Sequence, residues 1–293
     1  MSSQPQLGEN GDSKSEVSFG KLPGLKSLPP FPAVAIKLLS VISDDDADFR
    51  EVSRLIMADT ALSSQVIRLA NSALFGFNRE VTSVLRALSL VGANRIRDML
   101  VTVALKNYMA PGDSPVLRAC WRHSLAAALW GEELAKWYVL DRPMLYTAAI
   151  LHDLGRIALF KLAPDTYVKY LEKASENGKA DSRELERQMF TLDHCQVGGH
   201  LARLWNFQYG LTDVIAHHHD AVAPDTPKVR ILVQASCAAA NMDGFLAAGP
   251  LQEWDTARVL SLLPQDPHGL QPPLQEMQHK VAQELNLIEC SLM

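Results

Sequence analysis

Ala148-Ala149-Ile150-Leu151-His152-Asp153-Leu154-Gly155-Arg156 sets an imidazole and a carboxylate into an otherwise apolar run with helical spacing. Burying two such groups is costly unless they pair with each other or share a cation. Adjacent imidazole and carboxylate are both good ligands for a first-row divalent metal, and a carboxylate can bridge two ions. The stretch therefore predicts a helical chain folded around a polar interior. Outward from it the periodicity stays helical, over roughly 143–158, 166–177, 183–205, 212–219 and 228–240.

Upstream, Phe49, Val52 and Ile56 fall on one helix face, as do Leu62, Val66, Leu69 and Ala73, and then Val84, Leu88 and Val91. Pro111-Gly112-Asp113-Ser114-Pro115 marks a joint, with Ser114 placed to cap a helix and Pro115 in its first turn. The helix after it carries Leu117, Trp121, Leu125, Ala128 and Trp137 toward a core. Alternating strand patterns do not occur. The expected fold is all-α, a two-lobed helical bundle. Its parts are a polar tail over about 1–20, an N-terminal lobe over 21–112, a second lobe over 113–246 and a helical extension over 247–293.

Composition narrows the function. A net charge of −5 and a pI of about 6.0 speak against a general nucleic-acid binder. Arg54, Arg68, Arg79, Arg86, Arg95 and Arg97 make the first lobe locally basic, but acidic residues interleave with them. No apolar run approaches a membrane span, the start is too polar for a signal peptide, and the 4 cysteines are scattered. A cytoplasmic location is expected.

All 9 histidines lie at or beyond His123, and His152-Asp153 and His219-Asp220 are His-Asp pairs. His194 and His200 lie in a second apolar helical run, and His217-His218-His219-Asp220 closes a short helix. Consecutive helical residues point about 100° apart, so one or two of the three histidines can face a common point. A lone histidine here would read as an ordinary core or surface residue. The set His123, His152, Asp153, His194 and His218 reads as a metal centre, whereas His217 and Asp220 read as a solvated helix end.

These residues resemble the HDOD family, a branch of the HD-domain superfamily of metal-dependent phosphohydrolases found in bacterial signalling. The resemblance is carried by Leu28-Pro29-Pro30-Phe31-Pro32, Met57-Ala58-Asp59-Thr60-Ala61-Leu62, Leu69-Ala70-Asn71-Ser72-Ala73-Leu74-Phe75-Gly76 and Ala87-Leu88-Ser89-Leu90-Val91-Gly92. In the second lobe it rests on Leu151-His152-Asp153-Leu154-Gly155-Arg156, His194-x-x-x-Gly198 and His218-His219-Asp220. It implies an HD-like second lobe with His123, His152, Asp153, His194, His218 and His219 as metal ligands. It also implies a mono- or dinuclear divalent site, iron or manganese ahead of zinc.

Two departures bear on activity. The superfamily's late ligating aspartate falls on Ser236, in Gln234-Ala235-Ser236, and the Asp-Gly-x-Gly-Tyr-Pro loop of cyclic-di-GMP hydrolases is replaced by Ala221-Val222-Ala223-Pro224-Asp225. The resemblance thus favours a non-catalytic regulatory module acting through signalling protein partners, with no membrane or nucleic acid. Asn71-Ser72, in the first lobe, reads as a cap or turn. The alternative is a phosphohydrolase acting on a cyclic nucleotide second messenger, with Asp153 bridging two metals and Arg156 holding a phosphate oxygen. Arg156 otherwise reads as a surface arginine.

Overall fold

Asp59, Ser83, Ser114 and Asp141 each stand one residue before a helix, and each side chain accepts a backbone N–H from that helix's first turn. These caps satisfy orphan donors at the starts of α3 (Thr60–Ala70), α4 (Val84–Val91), α6 (Pro115–Tyr138) and α7 (Arg142–Leu151). The computed structural model describes residues 24–40, 49–72, 74–109, 114–176, 182–207, 210–247, 254–265 and 269–292. The expected tail and residues 111–113 of the joint lie outside them, as do the side chains of Phe49 and Ala73.

Among the described residues the chain is all-α, without a strand. The first lobe comprises α1 (Ala33–Ser40), α2 (Phe49–Met57), α3, α4 and α5 (Ala93–Met109). Val52, Ile56, Leu62, Val66, Val84 and Leu88 are buried there, on the faces that the periodicity marks, together with Ile96 and Leu100. A larger apolar cluster runs from Leu25 to Ile288 and includes Phe31 and the second half of α5. Phe31 ties the lobes together, since its ring lies 5.7 Å from Tyr108, 5.9 Å from Trp205 and 5.7 Å from Phe207.

Asn71 shows why a polar residue ends α3. Its Nδ2 donates to the carbonyls of Ile67 and Val81, and its Oδ1 accepts from Val81 N at 2.7 Å. The amide imitates a strand partner for the loop that leads to α4, while Ser72 Oγ donates to the Leu69 carbonyl. The pair is a structural turn.

In the second lobe α6 is the central post. Against it pack α7, α13 (Lys228–Met242) and α15 (Leu274–Leu292). The remaining helices are α8 (Leu154–Leu162), α9 (Pro164–Glu176), α10 (Ser182–Phe190), α11 (His194–Leu204), α12 (Leu211–His217) and α14 (Thr256–Leu262). The C-terminal helix is fastened by an Arg95–Glu284 ion pair, by Arg122 to Glu289 at 2.6 Å, and by Lys106 Nζ to the Leu292 carbonyl at 2.6 Å.

Two expected helices are each divided. The run over 143–158 breaks at His152-Asp153, where Asp153 leaves helical geometry at φ −96°, ψ 18°. The run over 183–205 breaks at Thr191-Leu192-Asp193, where Thr191 takes φ 72° and Asp193 forms a capping box with Gln196. Apolar periodicity continues through both breaks, which is why the pattern alone does not reveal them.

Between the lobes, buried Asp98 on α5 leaves Oδ1 without a hydrogen-bond partner, and Arg97 Nη2 is 3.5 Å away. Burial pushes the Asp98 carboxyl up to about 7, against the opposing charges of Arg97, Arg95 and Arg142. A carboxyl whose folded pKa lies above its unfolded value, about 3.9, makes stability fall as pH rises between the two. Replacing Asp98 with Asn removes that term. Relative to wild type, Asp98→Asn should gain about 2–3 kcal/mol between pH 5 and pH 8.5. Urea unfolding of both proteins at those two pH values checks it, and an unchanged difference would refute it.

Candidate metal centre

Five segments deliver the polar cluster. His123 comes from the middle of α6, and His152 and Asp153 from the turn between α7 and α8. His194 opens α11, His218 and His219 follow α12, and Cys237 lies on α13. The break at His152-Asp153 lets neighbouring residues turn both side chains to one point, which an unbroken helix would not allow.

Glycines bring the segments close enough. A Cβ on Gly155 would overlap the His194 carbonyl and lie 2.8 Å from Gly198 N; one on Gly198 or Gly199 would press on Ile215 or Ala216. The backbones of α8, α11 and α12 therefore meet across Gly155 and Gly198-Gly199, which accounts for the glycines in Leu-His-Asp-Leu-Gly and in His194-x-x-x-Gly198.

Asp153 is the hub. Its Oδ1 lies 3.4 Å from His194 Nε2 and 3.5 Å from His218 Nε2; its Oδ2 lies 3.6 Å from His123 Nε2 and 3.7 Å from His152 Nε2. Each ring spends its other nitrogen as a donor. Nδ1 of His123 donates to the Phe245 carbonyl at 2.6 Å, that of His152 to Ala149 at 2.6 Å, that of His218 to Ile215 at 3.0 Å, and that of His194 to Glu186 Oε2 at 2.6 Å. Such bonds fix the tautomer, so in the neutral rings four Nε2 lone pairs converge on a carboxylate. Lone pairs facing an anion in a buried space call for positive charge, from a bound cation or from protons on the rings. Asp153 Oδ1 itself is buried with no hydrogen-bond donor, and so is His219 Nε2.

The electrostatics agree. Burial pushes the His152 imidazole down to about 3. Burial also opposes charge on His194 and His218, but Cys195 and Glu186 raise the first and Cys195 and Asp153 raise the second. Burial works against an ionised Asp153 too, yet Arg156 and the surrounding imidazoles hold it well below the usual carboxylate range. Protons on His194 and His218 thus supply positive charge that a metal ion would otherwise bring. The donor set fits a divalent metal. His123, His152, Asp153, His194, His218 and His219 are the candidate donors the sequence marks, and an ion bound among them would act as a Lewis acid.

All six sequence-derived ligand residues converge. His200 stays apart, half-buried on α11, and His217 and Asp220 pair with each other at 2.8 Å on a solvated helix end. Three expectations need correction. Arg156 is buried, not a surface residue. Its guanidinium is already engaged, with Nε to Asp153 Oδ2 at 3.0 Å and Nη1 to Glu186 Oε1 at 2.6 Å and to the Tyr170 hydroxyl at 3.2 Å. Ser236 is not the α13 residue at the cluster, because its Oγ donates to the Leu232 carbonyl at 2.6 Å. The neighbouring Cys237 meets the cluster instead, with Sγ 3.5 Å from His123 Nε2.

Sequence reasoning also missed Glu186, which is buried and accepts from both the ring and the backbone N–H of His194. In Ser-Arg-Glu-Leu-Glu-Arg nothing in the sequence marks the second glutamate as buried. Cys195 was missed as well; its Sγ is 3.4 Å from His194 Nε2.

The model of the HDOD domain matches residues 28–221. The chain belongs to the HDOD family. A protein of Treponema pallidum is 24% identical over 221 residues, covering 74% of this chain and 42% of that relative, so the chain spans under half of its length. Among solved structures, an HDOD domain protein of unknown function from Geobacter sulfurreducens superposes with a TM-score of 0.74 at 22% identity, over 94% of this chain and 97% of the other. A Shewanella amazonensis protein described as a candidate phosphohydrolase reaches 0.70 at 22% identity, over 94% and 99%. These likenesses support the HDOD fold. No helix among the described residues is long and apolar enough to cross a membrane.

Proposed function

We propose that this HDOD chain is a cytoplasmic regulatory module that acts through signalling protein partners, and that its cluster binds a divalent metal for structure or sensing and not for hydrolysis. The observation that carries this reading is the closure of the cluster. His152, His194 and His218 are 0% exposed, and His123 and Asp153 are 1% exposed. Structural metal sites are closed, whereas catalytic ones keep a position open to water and substrate. Two further features support it. Asp153 gives one oxygen to Arg156, and α13 turns no carboxylate toward the cluster. A two-metal hydrolase needs firm oxygen ligands on both ions. A docking role for the first lobe is supported by Met57, Phe77, Leu85 and Leu90, all large apolar side chains exposed there.

The alternative, a cyclic-dinucleotide phosphodiesterase, draws on the superfamily resemblance. Mn²⁺- or Fe²⁺-loaded protein is expected to show no hydrolysis of cyclic di-GMP or of a generic phosphodiester. Turnover at about 1 s⁻¹ or faster, abolished by Asp153→Ala, would overturn the non-enzyme reading.

A further inference from the structure

Cys237 is the feature of the cluster that a carboxylate-ligated site does not explain. Its thiol is buried, and besides His123 it meets the Nδ2 of Asn241, one turn on along the same helix, at 3.8 Å. With both Nδ1 atoms committed to backbone carbonyls, the Nε2 lone pairs of His123 and His152 face each other at 3.3 Å. Two acceptors at that separation repel unless a cation lies between them. One ligand atom from each of His123, His152 and Cys237 lies within 4.8 Å of the other two.

The spacing fits a tetrahedral ion of the zinc class. With zinc bond lengths of about 2.0–2.1 Å to nitrogen and about 2.3 Å to sulfur, tetrahedral ligand atoms stand about 3.3 Å apart for N and N and about 3.6 Å apart for N and S. The observed separations are 3.3 Å between the imidazoles and 3.5 Å from His123 to the thiol. Asp153 Oδ2 lies 3.6 and 3.7 Å from the same two rings, the nearest carboxylate oxygen to both of them among the described residues.

We infer that the cluster takes one thiophilic divalent ion of the zinc class, held by Cys237 Sγ with His123 Nε2, His152 Nε2 and Asp153 Oδ2. This rests on the reading that the cluster holds a cation at all. On binding, Cys237 gives up its thiol proton to solvent and ligates as the thiolate. The thiolate replaces the missing carboxylate as ligand, and it selects zinc over the iron or manganese that the family resemblance favours.

Titration of the metal-stripped full chain with Co²⁺ tests this. One ion should bind per chain, with a sulfur-to-cobalt charge-transfer band in the near ultraviolet. The band should persist in Cys195→Ser and vanish in Cys237→Ser and Cys237→Asp. Cys237→Asp should still bind one cobalt ion and keep the wild-type helical circular dichroism, which separates loss of the ligand from loss of the fold. Zinc affinity in Cys237→Ser should drop more than about 100-fold, beyond the range typical of an outer-shell partner. Cobalt bound without a charge-transfer band, or a band that survives Cys237→Ser, would overturn thiolate ligation while leaving the metal centre standing. Binding of neither cobalt nor zinc by the wild-type chain would overturn both.

Discussion

Gly155→Ala is expected to destabilise the protein by about 3 kcal/mol or more and to disrupt the candidate metal centre with it. Overpacking typically costs about 1–3 kcal/mol where side chains can shift. Here the new methyl meets backbone, the His194 carbonyl and the Gly198 nitrogen, so a helix must move. The helix that moves is α11, which begins at His194. Relief of the clash therefore draws His194 away from Asp153 Oδ1. Gly131→Ala on α6 is the matched control. A Cβ there would meet Leu145 and Ala149 at 3.4–3.5 Å, ordinary contact distance. Alanine is also favoured over glycine inside a helix by up to about 1 kcal/mol. Urea denaturation should show a fall for Gly155→Ala and no loss for Gly131→Ala, and cobalt affinity should weaken only in the first, since His194 supports Asp153 from outside the proposed ligand set. Equal stability of the two variants would refute the backbone-contact account.

The readable part of this molecule is what periodicity and local chemistry write into neighbouring residues. Ser114 followed by Pro115 announces a helix start, and Leu117, Trp121, Leu125 and Ala128 are buried as their spacing implies. The convergence of His123, His152, Asp153, His194, His218 and His219 was also legible, because histidines in apolar helical runs are too costly to leave unshared. What stayed hidden depends on rotation and on long-range pairing. On α13, Ser236 and Cys237 differ by one position, about 100° of helix, and only packing decides which faces His123. Ser236 finds a partner within its own helix, in the carbonyl of Leu232. Glu186 lies 30 residues from Arg156 and resembles any surface glutamate until α10 folds back over α8. Arg156 escaped for the same reason: Asp153 is a local counter-charge, but the Glu186 and Tyr170 groups that complete its buried setting come from later helices.

Arg156→Met should show how strongly the centre depends on that hidden counter-ion. The substitution keeps an apolar stem and removes the guanidinium. Asp153 Oδ2 and Glu186 Oε1 then lose their nearest positive partner, and the Tyr170 hydroxyl loses a donor. Removing one member of a buried ion pair costs about 3–5 kcal/mol, because the remaining charge stays desolvated. For a chain of this size the midpoint of thermal unfolding should drop on the order of 10 °C. The pH dependence follows in sign. In the wild type, Arg156 helps hold Asp153 and Glu186 below their usual carboxylate range. Groups with depressed folded pKa values contribute stability above their unfolded values, near pH 4, and lose it as pH falls. The deficit of the variant should therefore be largest above about pH 6 and narrow toward pH 4, where its carboxyls can accept protons. Added zinc should recover part of the loss at pH 7, since an ion bound only by the folded state stabilises it and restores positive charge beside Asp153. Thermal melts at pH 7 and pH 4.5, with and without zinc, measure all three effects. A variant as stable as wild type at pH 7 would mean that Arg156 is not the counter-ion of this centre.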